Sequence, residues 1–162
     1  MPILPDLLRP ELDIVFCGMA PSAESARRRA YYAHPGNRFW HTLHEIKLTP
    51  RLLAPEEYRL LPALGIGFTD VCKRESGRDS ELSKAALDPA AVRRKVARFQ
   101  PRFLACTGKT AGRLVLGRAC AYGLQAEQIG TTSVYVLPST SGAAVRYWDI
   151  APWRDLARTV RR

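Results

Sequence analysis

No apolar run in this 162-residue chain approaches the length of a membrane-spanning helix, which excludes a helical membrane protein. A secretory pattern is missing as well. The opening "MPILPDLLRPELD" carries acids and three prolines and no uninterrupted apolar stretch, so a cytoplasmic, bacterial protein is expected. There is no internal repeat, low-complexity tract or clear linker. The length suits one good core and is short for two, so residues 1–162 are expected to form a single domain. Cysteine is sparse and scattered: Cys17, Cys72, Cys106 and Cys120 form no Cys-x-x-Cys pair. That spacing argues against zinc or iron–sulfur, and the thiols read as free ones in a reducing compartment.

Acidic residues are also in deficit, 15 against 25 lysines and arginines, for a net charge of +10. Such an excess draws polyanions through counterion release, and nucleic acid is the leading partner, with association with the nucleoid expected through DNA. No segment separates basic and bulky apolar faces well enough to suggest a membrane surface.

Four nearly continuous apolar runs read as buried parallel strands: Leu12–Gly18, Gly65–Val71, Phe103–Gly108 and Ser133–Ser139. Helical spacing lies between and after them. "NRFWHTLHEI" opens at a possible Asn37 cap, "DPAAVRRKVARFQ" has an Asp88 cap followed by Pro89, and "DIAPWRDLARTV" repeats the pattern. Strands alternating with helices predict an α/β fold with a short, four-stranded parallel sheet. Ligands in such folds bind outside the carboxyl ends of the strands. Four loops then share one rim: 18–37, 70–83, 108–110 and 138–146.

Each motif on that rim has two readings. "CTGKTAG" is no Walker A loop, because the position that must be glycine is Phe103. Gly108 and Lys109 either hold a phosphate at a helix start or simply turn a strand into a helix. "YYAHPGNRFW" is either a base pocket, with a flat aromatic and fixed polar groups, or packing plus a helix cap. Arg27, Arg28 and Arg29 are either phosphate contacts or a solvated face. Ser139, Ser141 and the backbone at Gly142 either bind phosphate or form an ordinary ST-turn.

In chain order, the Gly-x-x-Pro turn at Gly18–Pro21, then "AHPGNRFW", "GIGFTD", "GK" and "LPSTSGA" resemble the mismatch-specific uracil-DNA and thymine-DNA glycosylases of the uracil-DNA glycosylase superfamily. The likeness runs from about Asp13 to Arg146. It implies a three-layer domain that flips a damaged base from DNA and hydrolyses its N-glycosidic bond without a metal or cofactor. It further implies a monomer acting on DNA with uracil or abasic sites. By the same resemblance Tyr32 stacks on the flipped base, and Gly18, Met19, Ala20 and Ser22 line its pocket. Ser25 reaches toward the base edge and Asn37 braces the loop. Arg27, Lys109, Ser139, Ser141, Gly142, Ala143 and Arg146 face DNA.

The chain departs from the family pattern twice. Ala20 stands where the family usually has the Asn that holds the attacking water, and Ala143 stands where a bulky wedge normally fills the stack. Arg146 or Tyr147, slightly displaced, are the substitutes for the wedge. For the missing amide, the acids on the rim are Glu24, Asp70, Glu75, Asp79 and Glu81. Asp70 is the best placed, because it ends the second strand beside the first. A carboxylate there orients or deprotonates water and stabilises a cationic sugar. The alternatives are a plain Asp70 pairing with Lys73 or Arg74, a reader of uracil or abasic sites with little catalysis, and an unrelated nucleotide-binding α/β enzyme.

Overall fold

The computed structural model describes residues 1–162. Its centre is a mixed five-stranded sheet in the order β2-β1-β3-β5-β4. The strands are β1 (Ile14–Gly18), β2 (Ile66–Asp70), β3 (Phe103–Thr107), β4 (Gly123–Ile129) and β5 (Thr132–Leu137). Four of them, β1, β2, β3 and β5, run parallel, as their apolar runs predict.

The expectation of four strands is corrected by β4, which pairs antiparallel with β5 at the sheet edge. Its sequence, GLQAEQI, alternates between half-buried and exposed positions up to the buried Ile129 and mixes Gln125, Glu127 and Gln128 with apolar residues. An edge strand with one wet face has no continuous apolar run. The Gly130 turn (φ +61°) closes the hairpin.

Alternation along the parallel strands, both faces of which are covered, explains why they are mostly apolar. Ile14, Phe16, Phe68, Tyr135 and Leu137 face one layer, formed by α2 (Phe39–Glu45) and α5 (Ala151–Val160). Val15, Cys17, Leu104, Cys106, Val134 and Val136 face the other, formed by α3 (Pro89–Phe99) and α4 (Lys109–Leu116). The first layer is aromatic at its heart. Phe16 stacks on Trp153 at 5.6 Å and meets Phe39 edge-on at 5.1 Å. The start of α3 follows the predicted chemistry, whereas α2 has Arg38, not Asn37, at its N-cap and no capping side chain there. Asp88 Oδ1 accepts from Ala91 N–H at 3.0 Å and Pro89 takes the first helical position. A short helix, α1 (Ala23–Arg28), begins at Ser22, whose hydroxyl accepts from Ser25 N–H.

No helix is long and apolar enough to cross a membrane. The N-terminal segment covers the outer edge of β2 through an antiparallel bridge between Leu7 and Phe68.

Candidate active site

Three neighbouring parallel strands end together, at Gly18, Asp70 and Thr107, and Gly18 lies directly opposite Asp70 in register. The pairing continues past the strands. Gly18, Met19 and Pro21 carbonyls accept from Val71, Cys72 and Gly77 N–H at 2.9, 2.7 and 2.9 Å. The turn after β1 is thereby fixed to the segment after β2, with Met19, Ala20 and Ser22 partly exposed on the rim.

Gly18 is a point of close approach. A Cβ there would sit 3.1 Å from Asp70 Oδ1, 3.2 Å from the Tyr32 hydroxyl and 3.4 Å from Thr107 Oγ1. Three oxygens from three elements thus converge on one α-carbon. Tyr32 reaches this point from a left-handed backbone (φ 53°), a conformation uncommon for an aromatic residue. Its ring stacks on Phe39 at 4.1 Å and 14°, and its hydroxyl lies 3.0 Å from Thr107 Oγ1. Burial pushes the Tyr32 hydroxyl well above its usual range, so it stays protonated.

Asp70 is only 4% exposed, and its Oδ2 makes no hydrogen bond. Lys73 Nζ approaches Oδ2 to 3.7 Å, an ion-pair distance too long for a hydrogen bond. Burial drives the carboxyl up to about 6; Lys73 pulls it down and the nearby Asp6 carboxylate pushes it back up. The other rim acids are differently occupied. Glu24 pairs with Arg27, Glu75 accepts from Ser83 N–H and Oγ at 2.8 and 2.7 Å, and Glu81 accepts from Arg78 N–H at 2.7 Å. Asp79 is exposed. Of the five, Asp70 alone is buried at a strand end.

The first and last loops meet on the same rim. Arg38 N–H donates to Thr140 O at 3.0 Å, the Arg38 guanidinium lies over Trp148, and a Cβ on Gly142 would sit 3.2 Å from Gly36 O. Asn37 Oδ1 accepts from Phe39 N–H at 2.9 Å, a bond that braces the loop. Ser25 is buried, and its hydroxyl accepts from Ala33 N–H at 2.9 Å and Ser22 Oγ at 3.1 Å, so it too ties the loop to itself.

Of the three arginines, Arg27 pairs with Glu24, and Arg28 pairs with Glu56 and donates to Ala33 O; Arg29 is exposed. Lys109 opens α4 and rests its Nζ 4.5 Å from the centre of the Tyr122 ring. Ser139 Oγ accepts from Ser141 N–H at 3.2 Å, and Ser141 Oγ accepts from Ala143 N–H at 3.3 Å. Residues Gly142–Tyr147 form a 3-10 turn whose Ala143 and Arg146 are exposed. Val145 and Tyr147, 56% and 63% exposed, are the bulky apolar groups on it.

Sequence reasoning missed Thr107 and Asp6. Thr107 ends a predicted strand on the rim, the criterion that singled out Asp70, so its signal was present. Asp6 had none, because only the folded path of the N-terminal segment brings it there. No three His, Cys, Asp or Glu side chains gather at one point that could hold a metal ion.

The family model described as the Uracil DNA glycosylase superfamily matches residues 5–157. Among solved structures, the chain is similar to the solution NMR structure of a "putative Uracil DNA glycosylase" from Methanosarcina acetivorans. The two share 28% sequence identity over 98% of this chain and 97% of that one, with a TM-score of 0.68.

Proposed function

Since the chain belongs to the uracil DNA glycosylase superfamily, we propose that it is a monofunctional DNA repair glycosylase that flips uracil out of DNA and hydrolyses its N-glycosidic bond. The observation that carries this reading is the buried Asp70 carboxyl, whose Oδ1 converges with the Tyr32 and Thr107 hydroxyls on Gly18 among the ends of three parallel strands. Ala20 cannot hold a water, and Asp70 takes over that work.

In the proposed reaction the flipped base lies on the face of Tyr32 opposite Phe39, against the backbone of Gly18–Ser22. Water attacks the sugar C1′, and Asp70 accepts its proton. A C1′–O bond forms while the C1′–N bond breaks, and that electron pair leaves with the base, which is then protonated. As the bond stretches, the sugar gains positive charge, and the nearby carboxylate stabilises it. The Tyr32 hydroxyl, fixed by Thr107, keeps the ring in place.

On the DNA side, Arg27, Lys109, Ser139, Ser141 and Gly142 engage phosphates. Exposed Val145 and Tyr147, with Arg146 between them, fill the gap left by the flipped nucleotide in place of Ala143. The protein acts as a monomer in this reading. Uracil is the preferred base, because thymine adds a 5-methyl group beside Tyr32.

The test is release of uracil from labelled duplex oligonucleotides, with the abasic product revealed by alkaline cleavage. The wild type is expected to cleave and Asp70→Asn to lose at least about a hundredfold in single-turnover rate. Near-wild-type cleavage by Asp70→Asn refutes the role of Asp70. Ala20 favours a second reading, a reader of uracil or abasic sites. Tight binding of abasic DNA by a folded wild type that releases no base selects it.

A further inference from the structure

The N-terminal segment also places a charge at the site. Leu7 exchanges two backbone hydrogen bonds with Phe68, at 2.9 and 3.0 Å, and Ile3 N–H donates to Lys73 O at 2.7 Å. These bonds hold Asp6 beside the end of β2. Asp6 Oδ1 accepts from Thr69 Oγ1 at 2.9 Å and lies 2.8 Å from Lys73 Nζ; its Oδ2 lies 2.6 Å from Lys95 Nζ. Lys73 Nζ also donates to the Tyr31 hydroxyl at 3.2 Å and sits over that ring. One ammonium is thus held between two carboxylates, 2.8 Å from Asp6 and 3.7 Å from Asp70.

The asymmetry is informative. Asp70 is the more deeply buried acid and stands to gain more from a close cation, yet Asp6 takes the short contact. Asp6 and the Tyr31 hydroxyl hold the ammonium at 2.8 and 3.2 Å. We infer that Lys73 is a positioning residue which steadies the Asp70 carboxylate from the side of its buried Oδ2 and leaves Oδ1, beside Gly18, for the reacting water, and that Asp6 sets this distance by holding Lys73 back. The inference rests on the proposed role of Asp70 and adds to it two residues outside the reacting centre. The titratable groups around the Asp70 carboxyl are Asp6 from the N-terminal segment, Lys73 after β2, Lys95 on α3, Tyr31 and Tyr32 from the loop after β1, and Cys17 on β1. Asp6 and Lys73 act on it with opposite signs, so their removal has opposite effects.

The experiment is a 13C NMR titration of the Asp70 carboxyl carbon, assigned by its loss in Asp70→Asn, in the full-length wild type, Asp6→Asn and Lys73→Met. Asp6→Asn removes a negative charge and lets Lys73 close on Asp70, so the midpoint moves down by about one pH unit. Lys73→Met moves it up by about as much. Single-turnover uracil release follows: the acid limb shifts with each midpoint, and Asp6→Asn is slower at neutral pH because a closer Lys73 makes the Asp70 carboxylate a weaker base.

Midpoints that stay put in both folded variants, or move the same way, overturn the inference. Where Lys73→Met does not fold, Lys73→Gln keeps a donor toward Asp6 and carries the same expected direction. The two readings fail separately. An active Asp70→Asn defeats the catalytic role while the carboxyl titration still decides the network. An inactive Asp70→Asn with unmoved midpoints defeats the network alone.

Discussion

Replacing Asp70 by Asn should make the protein more stable at neutral pH while abolishing its activity. In the folded chain burial raises the carboxyl from its ordinary 3.8 to about 6. As pH falls, the folded state therefore takes up this proton before the unfolded chain does. The contribution of Asp70 to stability is complete below about pH 4, is lost as pH rises through about 6, and stays lost above that. At about 1.4 kcal/mol per pH unit, ionising Asp70 in its folded site costs about 3 kcal/mol at pH 7 to 8. Asn has the same shape and carries no charge, so it avoids most of that cost. Lys73 keeps Asp6 as a partner at 2.8 Å. Urea unfolding of wild type and Asp70→Asn at pH 4.5 and pH 7.5 measures the difference. The variant should be more stable by up to about 3 kcal/mol at pH 7.5, with the advantage reduced to about 1 kcal/mol at pH 4.5. An Asp70→Asn protein that is less stable at pH 7.5, or whose difference from wild type is the same at both values, refutes the account of a desolvated, functionally retained carboxylate.

Further consequences follow from the same geometry. Single-turnover base release should rise about tenfold per pH unit below about pH 6 and level off above it, since only the ionised Asp70 accepts a proton; a flat profile from pH 5 to 8 contradicts this. Gly18→Ala places a methyl 3.1 Å from Asp70 Oδ1 and 3.2 Å from the Tyr32 hydroxyl. The expected cost is about 1–3 kcal/mol of stability and on the order of a hundredfold in rate, read by urea unfolding and oligonucleotide cleavage. Trp153→Phe removes the 3.0 Å hydrogen bond from Nε1 to Pro138 O, leaving a buried acceptor where the last loop departs. A loss of about 1–3 kcal/mol is expected, and an unchanged melting temperature counts against it. Finally, affinity for duplex DNA should fall steeply between 50 and 200 mM salt, and a salt-independent Kd argues against phosphate contacts by the basic rim.

Much of this architecture was legible in the chain. The runs at Leu12–Gly18, Gly65–Val71 and Phe103–Gly108 are nearly continuous in apolar residues because both faces of those strands are covered, and that pattern survives without neighbours. β4 was illegible for the converse reason: an edge strand needs only one buried face, and GLQAEQI reads as loop. Asp70 could be chosen as the end of a strand beside Gly18. Its burial, its unpartnered oxygen and the 3.7 Å gap to Lys73 could not, since all three depend on the packing of distant segments.

Local patterns therefore determined the class of fold, the rim on which the loops gather and the excess positive charge; the departures at Ala20 and Ala143 show only against the family the chain resembles. The first three are properties of periodicity, composition and residue type, and each is carried by residues close together in the chain. Tertiary structure alone decided that Gly18, Tyr32, Asp70 and Thr107 share one point, and that Asp6 holds Lys73 from the far end of the sequence. The physical reason is that burial and Coulomb interaction depend on distance in space, and 64 residues of chain separate Asp6 from the carboxyl it helps to tune.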